Sequence, residues 1–244
     1  MQKEGAHQPL QAKAVEVARR LESTYATPDL GNKADPLDEL VYIALTRQTH
    51  EKNAQRTWNS LITAYPTWGM LLDAPEQEVA SVIKDGGFSR QKARWIKQSL
   101  KIIKERNGSL SLDFLDELGD EEAERFLCSL PGINVKSAKC VLMYSLERDV
   151  LPVDTHVKRV SERLGLLEAG FTSKRAHERL EAVVPPRYRF AYHVGAVVHG
   201  RQVCTVAAPR CSHCVLRQWC SYYHTNIVAA PREVEHGGRQ RAQP

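Results

Sequence analysis

The chain has no run of apolar residues approaching the ~18 that a membrane span needs, and no apolar core follows Met1 in the manner of a secretory signal. Neither export nor insertion is expected, and the predicted compartment is the cytoplasm, or the nucleoid of a bacterial cell. Between Leu10 and Leu127 no stretch alternates apolar and polar residues with period two, so no strand is predicted there. No internal repeat is visible, which sets a solenoid aside. Cysteines are few, and four of the six crowd together as Cys204, Cys211, Cys214 and Cys220, while Cys128 and Cys140 stand apart. In a reducing compartment such crowding points to a metal site rather than to disulfides.

What is present is enough for a buried core. The 244 residues are 42% hydrophobic, sufficient for one domain or two small ones. Lys and Arg total 34 against 29 Asp and Glu, a formal +5 with a pI near 8.9, which leans toward a polyanionic partner. Leu10, Ala14, Val17, Ala18 and Leu21 recur at helical spacing. Asp35-Pro36 opens a second helix with a cap and a proline at its first position, and its apolar stripe ends at Thr46-Arg47-Gln48. Segments around Trp58 and after Pro66 follow, then a short helix from Pro75 that Asp85-Gly86-Gly87 terminates. A long helix closes at Asn107-Gly108. Ser173 to Val184 and Tyr188 to Val198 give two more, separated by Pro185-Pro186. Met1 to Gln8 read as a loose end, and residues 225–244 as a disordered tail.

The densest stretch runs from Phe126 to Val160. Leu130-Pro131-Gly132-Ile133-Asn134 lies between two apolar-periodic segments. Pro131 fixes its own φ, Gly132 can take positive φ, and Asn134 tolerates the left-handed region. Such a turn aims backbone N–H groups outward at a helix N-terminus, where the dipole also favours an anion. It is either a phosphate seat or a helical hairpin that merely packs. Asp154 precedes Thr155-His156 as an N-cap would. Four thiolates separated by six, two and five residues suit either a tetrahedral zinc or an iron-sulfur cubane.

LPGINVKSAKCV resembles the helix-hairpin-helix of the endonuclease III superfamily of DNA glycosylases, and PVDTHVKRV resembles the segment carrying its catalytic aspartate. The likeness runs from about Asp35 to Cys220. It takes in Leu45-Thr46-Arg47-Gln48, Gly86-Gly87-Phe88, His199-Gly200-Arg201 and the cysteine spacing. The resemblance implies an all-α, two-lobed fold with DNA in the cleft. One helical lobe spans 33–146; 9–32 joins 147–224 in a cluster lobe. It also implies a monomeric base-excision-repair DNA glycosylase with AP lyase activity, acting on oxidised pyrimidines or abasic sites in double-stranded DNA.

The same resemblance assigns the site. Lys136 becomes the nucleophile at C1′, which requires a neutral amine and so a depressed pKa, and Asp154 its catalytic partner. Gln48 enters the base stack, with Phe88 as a wedge from the opposite side. Gly132, Ile133 and Asn134 hold the DNA backbone, and Lys139, Lys158 and Arg201 contact phosphates. Cys204, Cys211, Cys214 and Cys220 bind a 4Fe-4S cluster. The chain departs from the family pattern at Asn134, at Val135, in the Thr205 to Pro209 loop, and at His50 and Glu51 beside the base pocket. Two other readings stay open at this stage: a monofunctional adenine or mismatch glycosylase, and a non-catalytic DNA-binding module with a structural metal.

Overall fold

A computed structural model describes residues 4–229, and every regular element among them is helical. Helix α1 (Glu4–Tyr25) starts earlier than its apolar spacing announces. Residues 4–8, expected as a loose end, are helical even though Pro9 lies inside the helix and removes one backbone hydrogen bond. In α2 (Pro36–Thr46) the Asp35 carboxylate accepts from the amides of Leu37 and Asp38, each at 2.9 Å. There follow α3 (Glu51–Ala64), α4 (Trp68–Asp73), α5 (Glu76–Val82) and α6 (Ser89–Asn107), the last closed by Gly108 at φ 72°. Next come α7 (Asp120–Ser129), α8 (Val135–Tyr144), α9 (Thr155–Leu164), α10 (Ser173–Val183) and α11 (Arg189–Gln202). Short helical turns run on through His224–Val228. The tail expected from residue 225 is therefore helical at its start, and 230–244 lie outside the described residues, as do Met1 to Lys3 of the expected N-terminal loose end.

Two hydrophobic cores form, and the chain passes from one to the other between consecutive residues. Leu37 through Val150 build the first, from α2 to α8. Leu151 through Cys220 build the second together with Ala14, Val17, Ala18 and Leu21 of α1. Helix α1 thus packs against the later part of the chain, and it lies close to α11: a Cβ on Gly195 would fall 2.5 Å from Leu21 Cβ.

The crossing itself, Val150 to Asp154, has no regular secondary structure and no strand beside it. Buried amides and carbonyls must still find partners, and three side chains supply them. Leu151 N–H donates to Glu181 Oε1 (2.8 Å), His193 Nδ1 bonds Pro152 O (2.8 Å), and Val153 N–H donates to His177 Nε2 (3.1 Å). Lys139 completes this arrangement. Its ammonium lies 2.7 Å from Glu181 and 2.9 Å from Glu124, and the residue is buried. The expectation that Lys139 contacts a phosphate is corrected by that burial: its charge already has two carboxylates and faces away from solvent.

Removing the cation would leave two partly buried carboxylates facing each other. Lys139→Met is expected to lower the unfolding free energy by about 3 kcal/mol, measured by urea denaturation. A loss no larger than that of an exposed ion pair would show that the triad does not hold the junction.

Candidate active site

Where the two cores meet there is a cleft of about 440 Å³. Tyr42, Ile43 and Thr46 of α2, with Lys136, Cys140 and Tyr144 of α8, form the wall on the first core. Asp154, His193, Val197 and Arg201 face them from the second. Lys136 stands on the first turn of α8, and Asp154 is the N-cap of α9. The Asp154 carboxylate accepts the Val157 amide at 2.7 Å through Oδ1. The cap fixes the rotamer that brings this carboxylate to the cleft.

The electrostatics of Lys136 differ from the expectation of a depressed pKa: its pKa is raised. Cys140, one helical turn along α8, is the largest influence, and the carboxylates of Asp154 and Glu39 add to it against the cost of burial. Burial pushes the Cys140 thiol up while Lys136 pulls it down. With its own pKa raised, Lys136 is an ammonium in the free cleft. Glu39 is fully buried and held by Asn32 Nδ2 (2.5 Å) and the Lys33 amide (2.7 Å).

His193 is a second group that the sequence reading passed over, being one polar residue in the apolar run of α11. A carbonyl has no proton to give, so Nδ1–H must donate to Pro152 O, and Nε2 is unprotonated in the neutral ring. Burial lowers its pKa to about 4, with Asp154 opposing that shift. Tyr144 packs edge-on against His193 and Phe190, at 5.7 and 5.9 Å between centroids.

At the hairpin, Gly132 has φ +80°, and a Cβ there would sit 2.6 Å from Trp95 ring atoms. Only glycine meets both demands. Arg47 donates to Gly132 O and lies over the Trp95 ring, 5.1 Å from its centroid. Asn134 is extended rather than left-handed, with φ −115°, and its side chain caps α8 by accepting the Ser137 amide at 2.9 Å. Asparagine is used here for its carbonyl oxygen, not for tolerance of positive φ. Ile133 is buried, and its amide donates to Leu130 O at 3.2 Å, which removes it from the backbone-gripping set. With the Ser137 amide taken by Asn134, Gly132 and the amides of Val135 and Lys136, which have no preceding helical carbonyl, remain.

Gln48 and Phe88 are both exposed, and both adopt positive φ, 51° and 49°. Strain of this kind persists where surrounding contacts over-determine the backbone. His50 lines the cleft nearby. The Lys158 ammonium bonds Phe171 O at 2.8 Å and lies 3.7 Å from Glu162. Arg201 lines the cleft itself.

The four clustered cysteines line one small cavity. Arg163 Nη1 donates to the Cys204 sulfur at 3.3 Å and the Tyr223 amide to that of Cys220 at 3.4 Å, and His199 Nε2 lies 3.4 Å from the Cys214 sulfur. Donors directed at sulfur suit thiolates that carry charge to a bound group. Among the described residues no three His, Cys, Asp or Glu side chains converge on one ion.

Residues 41–186 match the HhH-GPD superfamily of base excision DNA repair proteins. A protein of Arabidopsis thaliana whose name places it among DNA glycosylases is 32% identical over 165 residues, covering 68% of this chain and 56% of its own length. Endonuclease III of Thermotoga maritima is 30% identical over 208 residues, covering 85% of this chain and 92% of that protein. A solved non-covalent endonuclease III–DNA complex superposes with a TM-score of 0.75 at 22% identity, over 89% of this chain and 98% of the other; at that identity the likeness is one of fold.

The unfolded chain binds a proton at position 193 more readily than the folded one. Stability is therefore complete above the ordinary histidine value of 6.5 and falls as pH drops toward about 4. The slope is at most about 1.4 kcal/mol per pH unit from this ring. His193→Gln, which keeps an N–H for Pro152 O, is expected to flatten the acid limb of a Tm-against-pH curve. An unchanged limb would assign it to other groups.

Proposed function

The chain belongs to the HhH-GPD superfamily of base excision DNA repair proteins, and from that premise we propose that it is an endonuclease III-like DNA glycosylase with AP lyase activity toward oxidised pyrimidines. Its substrate is double-stranded DNA with damaged bases or abasic sites, and it acts as a monomer. The supporting observation is the meeting of Lys136 and Asp154 in one cleft, each delivered by a different core.

The Asp154 carboxylate stabilises the oxocarbenium character that grows at C1′ as the bond to the base breaks. Because Lys136 enters the reaction as an ammonium, one of its protons goes to the departing base. The freed lone pair then forms the Nζ–C1′ bond. A second Nζ proton passes to Asp154 and on to the ring oxygen as the sugar opens to a Schiff base. Loss of a C2′ proton then expels the 3′ phosphate and cuts the strand. Gly132 and the first-turn amides of α8 seat a phosphate, Arg201 adds a cation at the cleft, and Gln48 and Phe88 fill the stack when the base leaves it.

Cys204, Cys211, Cys214 and Cys220 would hold a 4Fe-4S cluster, whose contribution is to fold the loop that presents Arg210. Anaerobically prepared protein should contain iron, and a colourless protein with stoichiometric zinc would overturn that assignment. For the chemistry, Lys136→Ala should lose strand scission at an abasic site by at least about 100-fold while still retarding the duplex on a gel. Asp154→Asn should bind and fail to release base. Scission at the wild-type rate by Lys136→Ala would refute the reading.

A further inference from the structure

Lys92 is a fully buried lysine with no carboxylate beside it among the described residues. From the first turns of α6 its ammonium donates to Leu45 O (2.7 Å), Gly86 O (2.8 Å) and Thr49 Oγ1 (2.5 Å). Three N–H groups meet three neutral oxygens, which exhausts the donors of an ammonium. Thr49 donates its own hydroxyl proton to Gly86 O. Burying a charge among neutral acceptors is costly, and here burial, then Arg47, lowers the pKa to about 8.

The position of these acceptors gives the charge a purpose. Leu45 and Thr49 bracket Gln48, while Gly86 stands two residues before Phe88. The Lys92 amide also bonds Phe88 O at 3.0 Å. Both probing residues have positive φ, and both are exposed. One ammonium therefore ties together the ends of two strained turns, reinforcing the single Thr49–Gly86 hydrogen bond that also joins them. Arg47, between Leu45 and Gln48, extends the junction to Gly132 O of the hairpin.

We propose that Lys92 is a positioning residue that locks the Gln48 and Phe88 turns into one rigid element, so that both enter the duplex together when a base is extruded. This rests on the reading of those two turns as the parts that enter DNA. Lys92 does not line the cleft that holds Lys136 and Asp154. Its loss should therefore impair work on a duplex while sparing chemistry on a target that needs no extrusion.

The test compares Lys92→Met, and the milder Lys92→Gln, on two substrates: a lesion duplex carrying a fluorescent base analogue beside the target, and a single-stranded abasic oligonucleotide trapped with borohydride. For Lys92→Met, extrusion and duplex excision should fall on the order of tenfold or more, with trapping on the single strand within about twofold of wild type; Lys92→Gln should fall between. In a Gln48→Ala, Phe88→Ala background the same change should cost little more. Normal extrusion by Lys92→Met, equal losses on both substrates, or failure of both variants to fold would overturn the proposal. If instead Gln48→Ala and Phe88→Ala leave extrusion unchanged in otherwise wild-type protein, the reading of the turns fails first, and that outcome is distinct.

Discussion

Five residues outside any helix, Val150 to Asp154, cross between two hydrophobic cores with no strand to pair with, and the rest of the site depends on how their polar groups are satisfied. Glu181, His193 and His177 each take one backbone group. These side chains come from α10 and α11, so the second core fixes the crossing in space. Glu181 also binds Lys139 of α8, so the same anchor sets the distance from the crossing to the helix bearing Lys136. Asp154 ends the crossing and begins α9. A helix cap and the carboxylate we propose acts at C1′ are here one residue, and the cap is what makes its position reproducible.

Two lysines show how environment decides what one residue type does. Lys136 stands near Cys140, Asp154 and Glu39, and its pKa rises. Lys92 is surrounded by neutral oxygens with Arg47 close by, and its pKa falls to about 8. The first is a charge held ready to give up protons when substrate arrives. The second has all three of its N–H groups matched by acceptors. Burial acts in the same direction on both, and the neighbours determine the outcome.

Local signals carried much of the architecture in advance. Asp35-Pro36, Asn107-Gly108, the Pro131-Gly132 turn and the Asp154 cap can each be recognised within a few residues of chain, because capping and positive φ are short-range requirements. What could not be recognised lies in partners distant along the chain. Lys139 looks like a solvated helix lysine until Glu181, 42 residues away, is placed beside it. Glu39 and His193 sit in apolar stripes, where periodicity marks them as interior without saying what they face. The direction of the Lys136 shift differs from the expectation as well: a helix N-terminus argues for a lowered pKa, and Cys140 first, with Asp154 and Glu39 adding to it, raises it.

The central claim is that the lysine on the first turn of α8 forms a covalent bond to the sugar. Borohydride reduction in the presence of an abasic duplex, followed by peptide mapping of the adduct, addresses it directly. The account predicts one adduct carried on Lys136 and absent from Lys136→Ala. An adduct on another residue, or none from the wild-type protein on any lesion or abasic substrate, would contradict it.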